Sequence, residues 1–187
     1  MNKNIIAIVG MCGSGKSVAA DLLVNSGWMK IYFGGVTMEK LQEAGLEVNP
    51  ENEKMMREKL RAELGMGAFA KILLPRIKEY SSTGKTVLDG LYSWDEYKIL
   101  KDELGDRVKL IAIVVDKDIR FKRLTTREIR PLTNDEAEKR DIAEIENIAK
   151  SGPIADADYF IFNNGNLEDY KKRLNEILIS LGEDEIK

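Results

Sequence analysis

The chain has 187 residues, of which 43% are hydrophobic and 33% charged, with 29 basic and 32 acidic side chains and a net charge of −3. This balance excludes a broad electrostatic attraction for nucleic acid or for an anionic membrane surface. Histidine is absent and cysteine occurs once, which removes the commonest metal ligand and excludes an internal disulfide.

No run of about 20 apolar residues and no leader pattern stands in the sequence, so we expect a cytoplasmic protein forming one domain over residues 1–187. Five short apolar runs alternate with segments of helical pattern. The runs lie at 4–9, 29–33, 85–89, 108–115 and 158–162. This alternation predicts an α/β fold with a five-stranded parallel sheet and helices on both faces.

The helical pattern covers 16–25, a region from about 36 to 80 with breaks near GLEVNPEN and LGMG, and 167–181. Ser93 is suited to cap a helix that begins at WDEYKIL. Pro131 is expected to end the helix that starts near Asp118. The following helix, capped by Thr133 or Asn134, is expected to end at Gly152.

The glycine-rich stretch after the first strand fits the pattern G-x-x-x-x-G-K-[ST]. Its members are Gly10, Met11, Cys12, Gly13, Ser14, Gly15, Lys16 and Ser17. Backbone N–H groups of such a loop and of the helix after it form an anion-binding nest. We expect Lys16 to reach the β- and γ-phosphates of ATP and the Ser17 hydroxyl to ligate Mg²⁺. Cys12 is either a small filler residue or a redox-sensitive thiol.

Ligands of open α/β sheets bind at the carboxyl ends of the strands, where the third strand ends in Asp89-Gly90. Asp89 would hold Mg²⁺ or its waters, and Gly90 would let a substrate approach the backbone. The alternative is a turn that merely ends the strand. Gly34, after the second strand, and Tyr92 are assigned with Gly90 to the substrate side.

A basic segment over 117–130 carries six cationic and two acidic residues. On a continuous helix, at about 100° per residue, Arg120, Arg123, Arg127 and Arg130 would share an arc of about 80°. We expect a mobile lid over about 120–140 that brings Arg120, Arg123 and Arg127 to the nucleotide's phosphates, with Arg140 returning from the next helix. The alternative is a solvated charged face.

Two further groups are candidates for substrate contacts. Arg57 and Arg61 lie one helical turn apart, so they could clamp an acceptor's phosphate or pair with Glu53 or Glu58. Beyond the last strand, the amide groups of Asn163 and Asn164 could read a purine edge or form a turn.

The phosphate loop, the Asp-Gly pair, the arginine-bearing segment and ADYFIFNNGNLEDY together resemble the P-loop nucleotide kinases, which include nucleoside-monophosphate kinases and dephospho-CoA kinase. The segments LRAELGMGAFAK, LDGLYS and RFKRL are similar to an uncharacterised P-loop kinase-like family best known from archaea. The resemblance implies a three-layer core, an ATP–Mg²⁺ donor and transfer of the γ-phosphoryl group to a small nucleotide-like acceptor. A helical insertion at about 34–80 would bind the acceptor.

The sequence departs from that pattern on the acceptor side. Such kinases commonly place an acidic residue and an arginine after the second strand, where Gly35 and Met38 stand here. Adenylate kinase tends to follow its Asp-Gly with an arginine, where this chain has Leu91, Tyr92 and Ser93. The acceptor is therefore open, with dephospho-CoA as an alternative to a nucleoside monophosphate. An NTP-hydrolysing switch and a non-catalytic nucleotide-binding module also remain, as do a monomer and a homodimer.

Overall fold

The computed structural model describes residues 4–186 and contains one five-stranded parallel sheet. The strands lie in the order β2-β3-β1-β4-β5. They span Ile5–Val9 (β1), Met29–Tyr32 (β2), Thr86–Asp89 (β3), Val108–Val114 (β4) and Tyr159–Phe162 (β5). Each strand agrees with its predicted range to within one residue at either end, so the sheet expected from the sequence is confirmed.

Helices connect the strands and cover both faces of the sheet. Over the described part of the chain they are Lys16–Asn25 (α1), Gly35–Glu43 (α2), Pro50–Leu64 (α3), Ala68–Thr83 (α4), Trp94–Leu104 (α5), Lys117–Thr126 (α6), Asn134–Glu146 (α7), Ser151–Ala155 (α8) and Leu167–Ser180 (α9). None of these helices combines the length and the apolar character that crossing a bilayer requires.

The central strand β1 divides the core between the two faces. Ile5, Ala7 and Val9 pack with residues of α4 and α5, whereas Ile6 and Ile8 pack with residues of α1 and α9. All five residues of β1 are fully buried. A strand covered on both sides explains the uninterrupted apolar run that stands in the sequence.

The register of β1 with its neighbours places the candidate site. Ile8 lies opposite Asp89 of β3, and Val9 lies opposite Ala112 of β4. Because the strands are parallel, the loop after β1, the end of β3 and the loop after β5 all meet at one edge of the sheet.

Capping motifs fix two helix starts where the sequence predicted them. The Ser93 hydroxyl accepts a hydrogen bond from the Glu96 N–H, and the Glu96 carboxylate accepts one from the Ser93 N–H. Thr133 and Glu136 form the same reciprocal pair at the start of α7. Burial raises the pKa of Glu96 to about 7, because a buried carboxyl group disfavours the charged form.

Two predicted helix ends are wrong. The helix expected to run to Pro131 ends at Thr126. The hydroxyls of Thr125 and Thr126 both donate to the Lys122 carbonyl, and such bonds compete with the helix. The chain then turns back, so that the Leu132 N–H donates to the Leu124 carbonyl.

The helix expected to end at Gly152 ends at Glu146 instead. Gly152 lies within α8, where a Cβ atom would meet the ring of Trp94 at 2.8 Å. The reversal occurs at Ala149, which has a φ of +48°, and its N–H donates to the Ile145 carbonyl. That geometry is an αL-type helix cap, with alanine in the position that glycine usually takes.

We expect Ala149→Gly to raise the free energy of unfolding by roughly 0.5–1 kcal/mol. The αL conformation costs a residue with a Cβ atom about 1–2 kcal/mol, and the greater backbone entropy of glycine offsets part of the gain. Urea denaturation followed by circular dichroism measures the change.

The matched control is Ala143→Gly, an exposed position inside α7. The same substitution there should lower the free energy of unfolding by about 1 kcal/mol. Destabilisation by both variants would contradict the strain assigned to Ala149.

Candidate functional site

The glycine-rich loop joins β1 to α1. Gly13 and Gly15 have φ values of +81° and +95°. A Cβ atom on Gly13 would lie 2.9 Å from Leu124 Cγ, and one on Gly15 would lie 2.5 Å from Asn163 Nδ2. Both glycines are therefore required by backbone conformation and by close packing. No side chain caps α1 at Gly15, so N–H groups of its first turn are available to an anion.

The buried hydroxyl of Ser14 supports the fit of an anion to this loop. Its oxygen is buried and has no hydrogen-bond partner among the residues that the structure describes. A buried polar atom without a partner is costly. An oxygen-rich ligand in the loop could accept a hydrogen bond from it.

Lys16 folds back over the loop that contains it. Its ammonium donates to the carbonyl oxygens of Gly10 and Met11, at 2.8 and 2.9 Å. Burial, and after it the charge of Lys150, lower the pKa of Lys16 to about 7. The ammonium is thus held by neutral carbonyls in surroundings that disfavour its charge, and a phosphate beside it would stabilise the charged form.

Side chains from the C-terminal part of the chain donate hydrogen bonds to carbonyl groups of the loop. Asn163 donates from Nδ2 to the Ser14 carbonyl at 2.9 Å, and the Tyr170 hydroxyl donates to the Gly15 carbonyl at 3.0 Å. The Asn164 side chain accepts from the Asp116 N–H and so joins the loops after β4 and β5. These amides hold loops together here, which is the turn-forming alternative that the sequence left open.

The arginines of the basic segment do not share one helical face, because α6 ends at Thr126. Arg120 is buried, donates to the Cys12 carbonyl and forms an ion pair with Asp141 at 2.6 Å. Arg123 donates to the Asn163 carbonyl at 2.9 Å. Arg127 is the C-cap residue of α6, and its Nε donates to the Arg130 carbonyl. The structure therefore places Arg120 and Arg123 at the loop and Arg127 beyond the helix.

Asp89 lies at the end of β3 with 4% of its surface exposed. The ammonium of Lys30 lies 3.0 Å from Asp89 Oδ2 and 3.1 Å from Asp21 Oδ1. The sequence did not predict this role of Lys30, because a single lysine inside a short strand does not indicate which carboxylate it will pair with.

Two tyrosines fill the space that Gly34 and Gly90 leave free. A Cβ atom on Gly34 would collide with the ring of Tyr32, and one on Gly90 would lie 3.1 Å from the Tyr92 hydroxyl. Burial raises the pKa of Tyr92, and a hydrogen bond with Tyr32 raises it further. Gly90 is itself buried. The Tyr92 phenol fills the space beside Gly90, and the role of Gly90 in admitting a substrate to the backbone stays a prediction.

A cavity of about 570 Å³ adjoins these tyrosines. Five of the six residues assigned to the substrate side line it, namely Gly34, Arg57, Arg61, Tyr92 and Arg140. Further cationic side chains in its wall are Lys54, Arg127 and Arg130, and the acidic ones are Glu53, Glu58 and Glu144. The wall therefore carries an excess of positive charge, which favours an anionic ligand.

The two arginines of α3 differ in their partners. Arg57 lies 3.4 Å from Glu53, whose other oxygen forms an ion pair with Arg130 at 2.7 Å. The hydrogen bond from Arg130 lowers the pKa of Glu53. Arg61 stacks over the ring of Phe69 at 5.3 Å, and its buried Nε has no hydrogen-bond partner within residues 4–186. Arg61 is therefore the arginine that is ready for a ligand, whereas Arg57 has the partner named as its alternative.

A buried ion pair beside the cavity was not predicted. Lys150 is 1% exposed, and its ammonium lies 2.8 Å from Glu144 Oε2. Arg140 Nε lies 3.3 Å from the other oxygen of Glu144. Burial raises the pKa of Glu144, but the charges of Lys150 and Arg140 and the hydrogen bond from Lys150 lower it below its ordinary value. Only a lysine after apolar residues, in NIAKSG, could have signalled this pair.

Comparison with protein families and curated relatives extends over most of the chain. A family model described as an AAA domain matches residues 6–145. A UPF0200 protein of Thermococcus onnurineus is 32% identical over 178 residues, which cover 93% of this chain and 96% of that protein. A UPF0200/UPF0201 protein of Archaeoglobus fulgidus is 31% identical over 97% of this chain. The chain spans 57% of the length of that second relative.

Several solved structures are similar in fold. TT1252 from Thermus thermophilus has a TM-score of 0.65 at 19% identity, and the match covers 97% of this chain and 99% of that one. A dephospho-CoA kinase from Campylobacter jejuni has a TM-score of 0.59 at 18% identity over 96% and 97% of the two chains. A shikimate kinase from Bacteroides thetaiotaomicron has a TM-score of 0.60 at 14% identity over 96% and 98%. These similarities show the P-loop kinase fold that the sequence predicted.

We expect Gly15→Ala to abolish measurable binding of ATP–Mg²⁺ because the added methyl group would displace Asn163 and open the loop. Isothermal titration calorimetry measures the affinity. The matched control is Gly27→Ala, which has a similar φ of +89° but no atom within 4 Å of the added carbon. Both variants carry the strain of αL alanine, about 1–2 kcal/mol. Equal affinities in the two variants would show that packing at Gly15 does not matter.

Proposed function

We propose that the chain, which belongs to the UPF0200 family and matches an AAA domain over residues 6–145, is an ATP-dependent phosphotransferase. The family membership and the geometry of the site support this proposal. The donor is ATP with Mg²⁺, and the acceptor is a small, anionic, nucleotide-like molecule. The protein acts in the cytoplasm as a monomer or homodimer, without a nucleic acid or membrane partner. The domain spans residues 1–187, with the acceptor-binding insertion at about 34–80 and the lid at about 120–140.

One observation carries this proposal: the cavity wall carries an excess of cationic side chains, and its Glu144 lies within electrostatic reach of Lys16 in the phosphate loop. Tyr92 and Glu144 line the cavity, and the same Glu144 and Asp89, next to Tyr92, act electrostatically on Lys16. A protein that only binds or hydrolyses a nucleotide has no need of an adjoining anion pocket. A phosphotransferase needs one, because donor and acceptor must be held together.

The donor half consists of the loop and its supports. N–H groups of Gly10 to Ser17 and the Lys16 ammonium would hold the phosphates. Arg120, which contacts the loop at Cys12, and Arg123 and Asn164, at the segment after β5, would contact the nucleotide beside the loop. In this arrangement Lys16 exchanges its two carbonyl partners for phosphate oxygens.

Ser17 and Asp89, which also pairs with Lys30, would hold Mg²⁺. Within residues 4–186 no group of three or more acidic, cysteine or histidine side chains could hold a metal ion. One hydroxyl and one carboxylate suit an ion that takes its other ligands from phosphates and water, as Mg²⁺ usually does. When bound, it would neutralise charge on the β- and γ-phosphates.

The acceptor half consists of α3 and the wall facing it. Arg61 and Arg140 offer guanidinium groups to an acceptor's phosphate or carboxylate, with Arg57 after its release from Glu53. Phe69 and Tyr92 offer aromatic surface to a base or ring.

Phosphoryl transfer requires positioning and charge stabilisation more than covalent chemistry by the protein. The bond from the γ-phosphorus to the ADP oxygen breaks as a bond to the acceptor oxygen forms. Lys16 and the arginines Arg123 and Arg127 would stabilise the charge that develops. Histidine is not needed for this step, which agrees with its absence from the chain.

A screen of ATP consumption tests the proposal. The candidate acceptors are nucleosides, ribo- and deoxyribonucleoside monophosphates and dephospho-CoA, each with a control that lacks acceptor. Acceptor-dependent ADP production supports the phosphotransferase. Slow hydrolysis that no acceptor stimulates would favour an NTP-hydrolysing switch, and tight ATP binding without turnover would favour a non-catalytic module.

We expect Arg61→Met to raise the KM for the acceptor by roughly tenfold to 100-fold with little change in the KM for ATP. A charge-assisted hydrogen bond to an anion contributes about 1.5–3 kcal/mol, which corresponds to that range. Arg76→Met is the matched control, because Arg76 is paired with Glu39 on the surface. An acceptor KM that Arg61→Met leaves unchanged would remove Arg61 from the acceptor site.

For the lid we expect Arg127→Ala and Arg123→Ala to lower kcat more than they raise the KM for ATP. Their contacts would strengthen as charge develops, and such arginines can contribute as much as ~10³-fold. The control is Arg173→Ala, a half-exposed arginine on α9. A solvated face predicts wild-type kinetics in both lid variants. Steady-state kinetics with the identified acceptor decide between the two readings.

A further inference from the structure

The buried pair of Glu144 and Lys150 stands at the boundary between the phosphate loop and the acceptor cavity. Glu144 lines the cavity. The Lys150 ammonium lies 5.1 Å above the ring centroid of Tyr92, which lines the cavity as well. On the side of the loop, Lys150 is the charged residue that changes the pKa of Lys16 most, and it lowers that pKa. The pair is therefore in contact with the cavity wall on one side and within electrostatic reach of the loop lysine on the other.

Positive charge exceeds negative charge around this pair. Glu144 is shared by Lys150 and Arg140, and Lys16 lies within electrostatic reach of the same carboxylate. Two further carboxyl groups lie nearby: Asp89 is paired with Lys30, and the buried Glu96 lies within electrostatic reach of Lys150 but has a pKa raised to about 7 by burial. Lys16, Arg140 and Lys150 therefore face Glu144 and the buried carboxyl of Glu96, so positive charge is in excess where the side chains are buried and charge repulsion is weakly screened. An anion placed between them would relieve that repulsion.

The backbone holds Lys150 in place at a measurable cost. Ala149 has a φ of +48°, and the N–H of Lys150 donates to the Glu144 carbonyl at 3.1 Å. Lys150 thus contacts Glu144 through both its backbone and its side chain. A continuous helix would point the residues at 144 and 150 in different directions, at about 100° per residue. Strained residues concentrate where function requires a fixed side chain.

Stability alone gives a weak reason for such a pair. Replacing a buried ion pair by apolar side chains of similar volume is often neutral or stabilising. A lysine that is 1% exposed, with a strained residue before it and two cations near its carboxylate, is therefore better explained by a ligand.

We propose that Lys150, held by Glu144 and by the ring of Tyr92, is a further cation of the transfer site and contacts the phosphoryl group as it passes from donor to acceptor. The inference rests on the proposed phosphotransferase function. Lys150 moves no proton in this step. It stabilises the negative charge on the oxygens of the transferred group while the bond to ADP breaks and the bond to the acceptor forms.

The test uses a mimic of the transferred group and needs no knowledge of the acceptor. The affinity for ADP–Mg²⁺ is measured by calorimetry with and without aluminium fluoride, in the wild type and in Lys150→Met. The matched control is Lys85→Met. Lys85 also pairs with a glutamate, at 2.9 Å from Glu183, and lies 5.9 Å from the ring centroid of Trp28, but it precedes β3 at the opposite edge of the sheet.

We expect aluminium fluoride to tighten ADP binding in the wild type and in Lys85→Met by tenfold or more. Lys150→Met should lose most of that gain and keep its affinity for ADP alone to within about twofold, since transition-state contacts of this kind contribute about 10²–10³-fold. A full gain in Lys150→Met would overturn the inference.

The double variant Glu144→Met/Lys150→Met keeps the test decisive if the single variant is poorly folded, because it leaves no unpaired buried charge. A purely structural pair predicts the full gain in the double variant, whereas our inference predicts its loss. A wild type that binds ADP but gains nothing from aluminium fluoride would overturn the role of Lys150 alone. A wild type that does not bind ADP–Mg²⁺ would overturn the proposed function as well.

Discussion

The pairing of β1 between β3 and β4 is the constraint on which the candidate site depends. Because these strands are parallel and in register, the glycine-rich loop leaves the sheet at the level where Asp89 ends β3. The loop after β5 reaches the same edge, where Asn163 supports the Ser14 carbonyl. Burial of β1 on both faces fixes this register, since a shift by one residue would exchange the two sets of core side chains.

Two glutamates of the site form ion pairs with its arginines and lysine. Glu53 joins Arg57 to Arg130, and Glu144 joins Arg140 to Lys150. Each glutamate thus links a helix of the cavity wall to the segment after α6 or α7. Phosphate or carboxylate groups of a ligand would compete with these glutamates for the same guanidinium and ammonium groups.

The sequence predicted the strands and the phosphate loop because both depend on local patterns. Apolar runs mark a buried parallel sheet, and the spacing of glycines before Lys16 follows from the space around a phosphate. The prediction that four arginines share one helical face was wrong because it assumed a continuous helix. The hydroxyls of Thr125 and Thr126 donate to the Lys122 carbonyl, and the helix ends at Thr126. The partners of Asp89 and Glu144 could not be predicted, because Lys30 and Lys150 reach them through tertiary folding.

Contacts in the structure explain two of the departures from the nucleotide-kinase pattern. The chain has Gly34 where a larger residue would collide with Tyr32, and it has Leu91, Tyr92 and Ser93 after its Asp-Gly, where adenylate kinase tends to place an arginine. Tyr32 and Tyr92 thus occupy this part of the cavity wall. The positive charge comes instead from α3 and α7, through Arg61 and Arg140. With the proposed function, such a site would keep the charge that an anionic acceptor requires while presenting aromatic surface at the end of β3, and it would select among acceptors by the shape beside their anionic group.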